Sequence, residues 1–222
     1  NAAVGILAAL YHRNLTGEGQ MVDIALVDSC VTAMASVNLS YLATGKVPQR
    51  QGNGYTAGAP GNSYKCKDGE AIFLALNQSL WERLCVAIGR EDLIQVPEFK
   101  DNATRVQNKA MLDAELTKWT STKTVQEVVD TLLAAKLPAA PVLTVDQVVA
   151  NEHIGGVRNM FPQVDHPVIG KVRITNQPIK MSKTNPHVRS SAPMLGEHNQ
   201  DIYQELGFSL DEIATMKANG VI

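Results

Sequence analysis

Ala2, Ala3, Ile6, Leu7 and Leu10 fall on one stripe at helical spacing, which predicts a helix over residues 2–13. The turn Thr16-Gly17-Glu18-Gly19 ends it. The chain opens on Asn1, with no initiator Met, inside what already reads as a helix, so a truncated or cleaved polypeptide is expected. Met21 to Ala25 is an apolar run broken only by Asp23 and reads as a strand. From Leu26 to Leu42 apolar residues face all sides (Val27, Val31, Met34, Val37, Leu39), the pattern of a buried helix. Thr44-Gly45 ends it, and Pro48 prevents its resumption.

Between Gln49 and Gly61 the periodicity lapses. The stretch Gln51 to Gly61 carries four glycines and little apolar bulk, so an irregular loop is expected. Asn62 to Lys67 and Ala71 to Leu76 flank an Asp68-Gly69 turn, a strong hairpin signal. Helices are predicted over Ser79–Ile88, Arg105–Trp119, Thr124–Lys136 and Val145–Asn151, with Pro138 and Pro141 bracketing a short extended piece. Val157 to Ile179 reads as strands, with turns at Asp165-His166-Pro167 and Ile169-Gly170, and Lys183 to Pro193 as a polar linker. Two helices close the chain, Glu197–Leu206 and Leu210–Ala218, the second with Ser209 as N-cap and Gly220 just past its end. The class is α/β. The outer pieces, 1–45 and 196–222, are helical with hardly any sheet and need a sheet from elsewhere to pack on.

Composition narrows the picture by exclusion. Net charge is −2 with both signs spread along 222 residues, so no basic face suggests nucleic acid and no polybasic cluster suggests a membrane anchor. The longest apolar stretch, Ala2 to Tyr11, is well short of the ~20 residues that span a bilayer. Cys30, Cys66 and Cys85 are odd in number and widely spaced, which argues against a disulfide framework and for a reducing, cytoplasmic location. No Cys or His pair has metal-ligand spacing.

Candidate chemistry is sparse. Gly52, Gly54, Gly58 and Gly61 match neither phosphate-cradling pattern, although glycines let a backbone approach a ligand closely or form a lid. A plain interdomain loop accounts for them as well; the length of the loop favours function. His12, His166 and His198 lack a neighbouring nucleophile motif, and a structural hydrogen bond is their ordinary role. Asp23 and Asp28 lie near a strand–helix junction, and no carboxylate pair stands out as an acid–base couple. These residues by themselves name no reaction.

Several strings, in order, are similar to class III (CaiB/BaiF-like) CoA-transferases. They are Gly5-Ile-Leu-Ala-Ala-Leu-Tyr-His-Arg13, Thr16-Gly-Glu-Gly-Gln20 with Val22-Asp-Ile, and Tyr41-Leu-Ala-Thr-Gly45 with Pro48 and Gly52-Asn53. Asn102-Ala-Thr-Arg-Val106 with Asn108, Pro138-Ala-Ala-Pro-Val142, Asp165-His-Pro, Leu195-Gly-Glu-His198 and Glu205-Leu-Gly207 continue the series. The resemblance covers essentially the whole chain.

The resemblance implies a small α/β domain, plus helices that complete a Rossmann-like large domain whose sheet lies in a missing N-terminal half. Residues 1–45 are then large-domain helices, 46–61 a Gly-rich linker, 62–150 the small domain, 151–195 a strand-rich return, and 196–222 large-domain helices again. It also implies an interlocked homodimer and transfer of coenzyme A from an acyl-CoA to a carboxylic acid acceptor through an aspartyl-CoA intermediate. Coenzyme A is then a substrate, and no cofactor or metal is required. Aligned on Gly5, the nucleophilic aspartate falls about six residues before Asn1, so no catalytic residue is assigned here and Asp23 and Asp28 are not substitutes. Substrate-binding positions carried over are Tyr55, Thr56, Ala57, Gly58 and Ala59, with Asn77 at a strand end. Tyr55, Thr56, Ala57 and Ala59 depart from the glycine run of formyl-CoA transferase, which speaks against formyl-CoA and oxalate as substrates. Racemases of the same fold carry a glutamate where Asn77 stands, so Asn77 favours transfer; a racemase or epimerase, or a non-catalytic fragment, is the alternative.

Overall fold

The computed structural model describes residues 1–222 except Gln51 and Thr56. Two compact units result, Asn1–Pro141 and Val142–Ile222.

The first unit opens with helix α1 (Ala2–Thr16), closed by Gly17 in the left-handed conformation at φ 82°, which only glycine adopts without strain. The expected strand at Met21–Ala25 does not form, because no neighbouring strand among the described residues offers it a ladder. Val22 and Ile24 instead lie against Gly5 of α1, where a Cβ would come within 2.9 Å of Val22. The expected single helix over 26–42 is two, α2 (Leu26–Ala33) and α3 (Ala35–Thr44), bent by 73°. At the bend the Asn38 amide donates to the Val31 carbonyl at 2.6 Å. None of these helices has a buried residue, so the apolar-all-round sequence of α2–α3 is not enclosed. Among the described residues no single helix is long and apolar enough to cross a membrane.

Burial begins at Gly58; no described residue before it is buried. Strands β1 (Gly61–Lys65) and β2 (Glu70–Leu74) form the predicted antiparallel hairpin in the register Lys65↔Glu70, and β3 (Ala139–Val142) joins β2 at the other edge. Alternation along β2 sends Ala71 and Phe73 inward, and Phe73 stacks on Tyr64 with ring centroids 4.3 Å apart. Against this sheet pack α6 (Lys109–Thr120) and α7 (Val125–Ala134), with α4 (Gln78–Ala87) on α7 and α5 (Asn102–Gln107) on α6, and together these helices bury Trp81, Leu84, Leu112, Leu116, Val128 and Leu132. The expected helix over 105–119 begins three residues earlier, at an Asp101/Thr104 capping box, and breaks at Asn108. There the Asn108 amide donates to the carbonyls of Glu98 and Thr104. The Asp68 carboxylate accepts from the Val125 amide at 2.8 Å, tying the hairpin turn to the start of α7.

The second unit holds α8 (Val145–Ala150), one π-helical turn, the hairpin β4 (Gln163–His166) and β5 (Gly170–Arg173), and α9 (Asn199–Glu205) and α10 (Leu210–Ala218). The strands expected across 157–179 reduce to this hairpin, and Asp165 and His166 belong to β4 rather than to the turn. Ser209 caps α10 through the Glu212 amide, and Gly220 follows at φ 66°, as the sequence predicts. Ile213 is the one buried hydrophobic residue described in this unit.

Candidate functional site

The Gly-rich loop is not loose at its C-terminal limb. Gly58, Ala59 and Pro60 are buried, and Pro60 accepts from the Ala75 amide at 2.9 Å. A Cβ on Gly58 would lie 3.0 Å from Leu76 Cβ, so any side chain there would push the loop away from Leu76, just past the end of β2. Tyr55, half exposed, donates its amide to the Gly61 carbonyl at 2.9 Å, and Asn53 reaches Ser63 Oγ at 3.2 Å.

The structure thus brings the end of the loop together with the stretch Ala75–Asn77. Asn77 is exposed and caps α4, its Oδ1 accepting from the Leu80 amide at 2.9 Å. Ala57 is exposed, whereas Gly58 and Ala59 are covered. Thr56 lies outside the described residues. Beside Tyr55 and Ala57 opens a cavity of about 780 Å³, lined on the other side by α3 and by Lys46, Val47 and Arg50.

Two residues to which the sequence assigned no site role complete the arrangement. Asn102, the first residue of α5, donates from Nδ2 to the Ala57 carbonyl and accepts the Ala59 amide at Oδ1, both at 3.1 Å. Arg105, fully buried one turn on, donates from Nε to the Ala59 carbonyl at 2.8 Å. Its Nη1 donates to Gln78 Oε1 at 2.9 Å and to the Phe99 carbonyl at 3.0 Å, and its guanidinium lies 5.2 Å from the Trp81 ring centroid. The available signal was an arginine on a helix whose other inward positions, Leu112 and Leu116 on the following segment, are apolar.

The remaining groups supply little reactivity. Burial pushes the Cys85 thiol up to about 12, with Arg105 only partly offsetting it, so Cys85 is no nucleophile near neutral pH. Burial also raises Cys66. Tyr64 is held well above the ordinary phenol range, first by burial and then by the Asp113 carboxylate, to which it donates at 2.8 Å. Asp28 sits in the first turn of α2, where a carboxylate complements the helix dipole. Among the described residues no group of three or more His, Cys, Asp or Glu could hold a metal ion.

The chain is 38% identical over 206 residues to a succinyl-CoA:mesaconate CoA-transferase of Haloarcula marismortui, covering 92% of this chain and 51% of that protein. It is 33% identical over 242 residues to a formyl-CoA:oxalate CoA-transferase of Escherichia coli O157:H7, covering 99% and 58%. Among solved structures, a CaiB/BaiF family protein from Brucella suis superposes with a TM-score of 0.70 at 32% identity, covering 91% of this chain and 52% of that one. A protein from Mycobacterium tuberculosis does so with a TM-score of 0.74 at 28% identity. The chain therefore spans about half the length of the curated relatives it matches. The sequence model of CoA-transferase family III matches residues 1–199, and with these similarities the chain belongs to CoA-transferase family III.

Proposed function

We propose that the protein to which this chain belongs transfers coenzyme A from an acyl-CoA donor to a carboxylic acid acceptor. The family match over residues 1–199 carries this reading. The relatives' names pair acyl-CoA with acids, namely succinyl-CoA with mesaconate or D-citramalate and formyl-CoA with oxalate.

In the reaction, an aspartate carboxylate supplied by the N-terminal portion attacks the thioester carbonyl. The C–S bond breaks, and coenzyme A leaves as thiolate from an acyl-aspartyl anhydride. The thiolate then attacks the aspartyl carbonyl of the anhydride, releasing the donor acid and leaving an aspartyl-CoA thioester. The acceptor carboxylate repeats these steps in reverse and takes the coenzyme A. A carboxylate nucleophile thus divides the exchange into acyl transfers of similar difficulty. The anhydrides are open to hydrolysis, so the site must exclude water.

The part of this chain is to wall that site with Tyr55, Thr56, Ala57, Gly58 and Ala59, beside Asn77. Lys46 and Arg50, lining the adjoining cavity, supply positive charge for an anionic group of the substrates. No cofactor is needed, coenzyme A being consumed and regenerated as substrate. A homodimer, a cytoplasmic location and the absence of nucleic-acid or membrane partners belong to the same reading. Asn77 favours transfer over racemisation, because an amide engaged as a helix cap cannot shuttle a proton as a carboxylate does.

Incubation of the full-length protein with an acyl-CoA and a free carboxylic acid tests this. A new acyl-CoA seen by mass spectrometry is the expected result. Deuterium exchange at the α-carbon in D2O, with no need of an acceptor, would establish a racemase instead.

A further inference from the structure

Residues 57–59 are gripped by two side chains of one helix. Asn102 meets the Ala57 carbonyl with a donor and the Ala59 amide with an acceptor, as the edge of a neighbouring strand would. Only a side-chain amide can do both at once from that position; a carboxylate accepts but cannot donate. Arg105 then takes the Ala59 carbonyl from beneath the loop.

That second contact has an unusual setting. Arg105 is fully buried, and no carboxylate of the described residues lies within ion-pair distance of it. Among the described residues its Nη2 has no hydrogen-bond partner. Burial accordingly lowers its pKa from the ordinary guanidinium value. A buried unpaired cation costs stability, and an apolar residue of similar volume would fill the same space without that cost. What the cation gains here is three carbonyl or amide acceptors, one of them in the loop.

We infer that Asn102 and Arg105 are positioning residues that latch the Ala57–Ala59 wall to the small-domain helix α5, and that this latch governs water exclusion from the acyl site. The inference rests on the proposed transferase function and on the loop's place in it. The wall then does not swing as a free flap; it is part of the same packed body as Trp81 and Phe99. The consequence is a partition between two fates of the donor. In transfer, the acceptor acid takes the coenzyme A and the donor acid is released. In hydrolysis, water oxygen bonds to the acyl carbon and the C–S bond breaks. One water proton goes to sulfur and one to solvent, leaving a free carboxylate and free thiol.

The test uses the full-length protein and the substitutions N102D and N102S. N102D keeps the shape and the acceptor but loses the donor to Ala57, and N102S cannot span both groups. Hydrogen exchange of the peptide covering residues 53–61 should accelerate by roughly tenfold or more, with the α6 and α7 peptides unchanged. The ratio of acyl-CoA hydrolysis to transfer should rise by about tenfold, with kcat for transfer falling further than KM rises. Unchanged exchange at 53–61 would show that there is no latch. Faster exchange with an unchanged ratio would show that the latch does not serve water exclusion. Acceleration spread over the whole small domain, with a lowered Tm, would reduce Asn102 to a folding residue and overturn the inference. If the unaltered protein transfers no coenzyme A, the parent reading fails and the water-exclusion role with it, while the exchange data still decide the latch.

Discussion

At Gly58 the loop and the end of β2 touch so closely that one methyl group decides the geometry. A Cβ there would stand 3.0 Å from both Cβ and Cδ2 of Leu76 and 3.4 Å from its Cα. The Cα and Cβ cannot rotate away as a flexible side-chain tip could. G58A is therefore expected to lower unfolding stability by about 1–3 kcal/mol and to displace Ala57 and Ala59. Chemical denaturation measures the first effect, and a loss of transfer activity larger than the loss of folded protein would reveal the second. Equal losses would mean that Gly58 matters only for packing. Asn77 illustrates how one residue is shared between scales: its backbone ends the stretch after β2, and its side chain starts α4.

Among elements, several helices are started by side-chain caps. Capping boxes open α5 at Asp101, α7 at Thr124 and α10 at Ser209. Backbone N–H bonds hold the carboxyls of Asp101, Glu127 and Glu212 below their ordinary range. A carboxyl whose folded pKa is lowered stabilises the fold fully above its unfolded pKa, about 4. That contribution disappears as pH falls through the lowered folded value. Thermal stability is therefore expected to change little between about pH 7 and 5 and to fall below about pH 4. D101N keeps an acceptor for the Thr104 amide but removes the titration, and so should flatten part of the acid limb in a calorimetric pH series. An unaltered acid limb would remove Asp101 from the explanation.

Across the whole molecule, packing is unevenly distributed. The hydrophobic core runs from Ala59 to Leu137, whereas α1, α2 and α3 have no buried residue and leave Leu7, Leu26 and Leu42 between 65% and 88% exposed. Apolar surface of that extent is ordinarily covered by a partner or by further chain. Residues 1–222 prepared alone are expected to bind the dye ANS strongly and to self-associate in sedimentation. A dye-silent monomer would show that these faces rearrange to cover themselves.

The helix periods, the Asp-Gly hairpin, the Ser209 cap and the glycine stops were legible in the sequence because each depends on residues a few positions apart. The same holds for the ordered strings that resemble CoA-transferase family III, which need no contact map to be read. The sequence could not reveal that the run at Met21–Ala25 would find no strand neighbour among the described residues, or that α2 and α3 would bend apart, since both depend on what lies alongside. Nor could it show that Asn102 and Arg105, more than 40 positions along the chain, would hold the loop at Ala57 and Ala59. Those hydrogen bonds exist only because the hydrophobic core between Ala59 and Leu137 sets α5 beside the loop, and such a juxtaposition is a property of the tertiary structure alone.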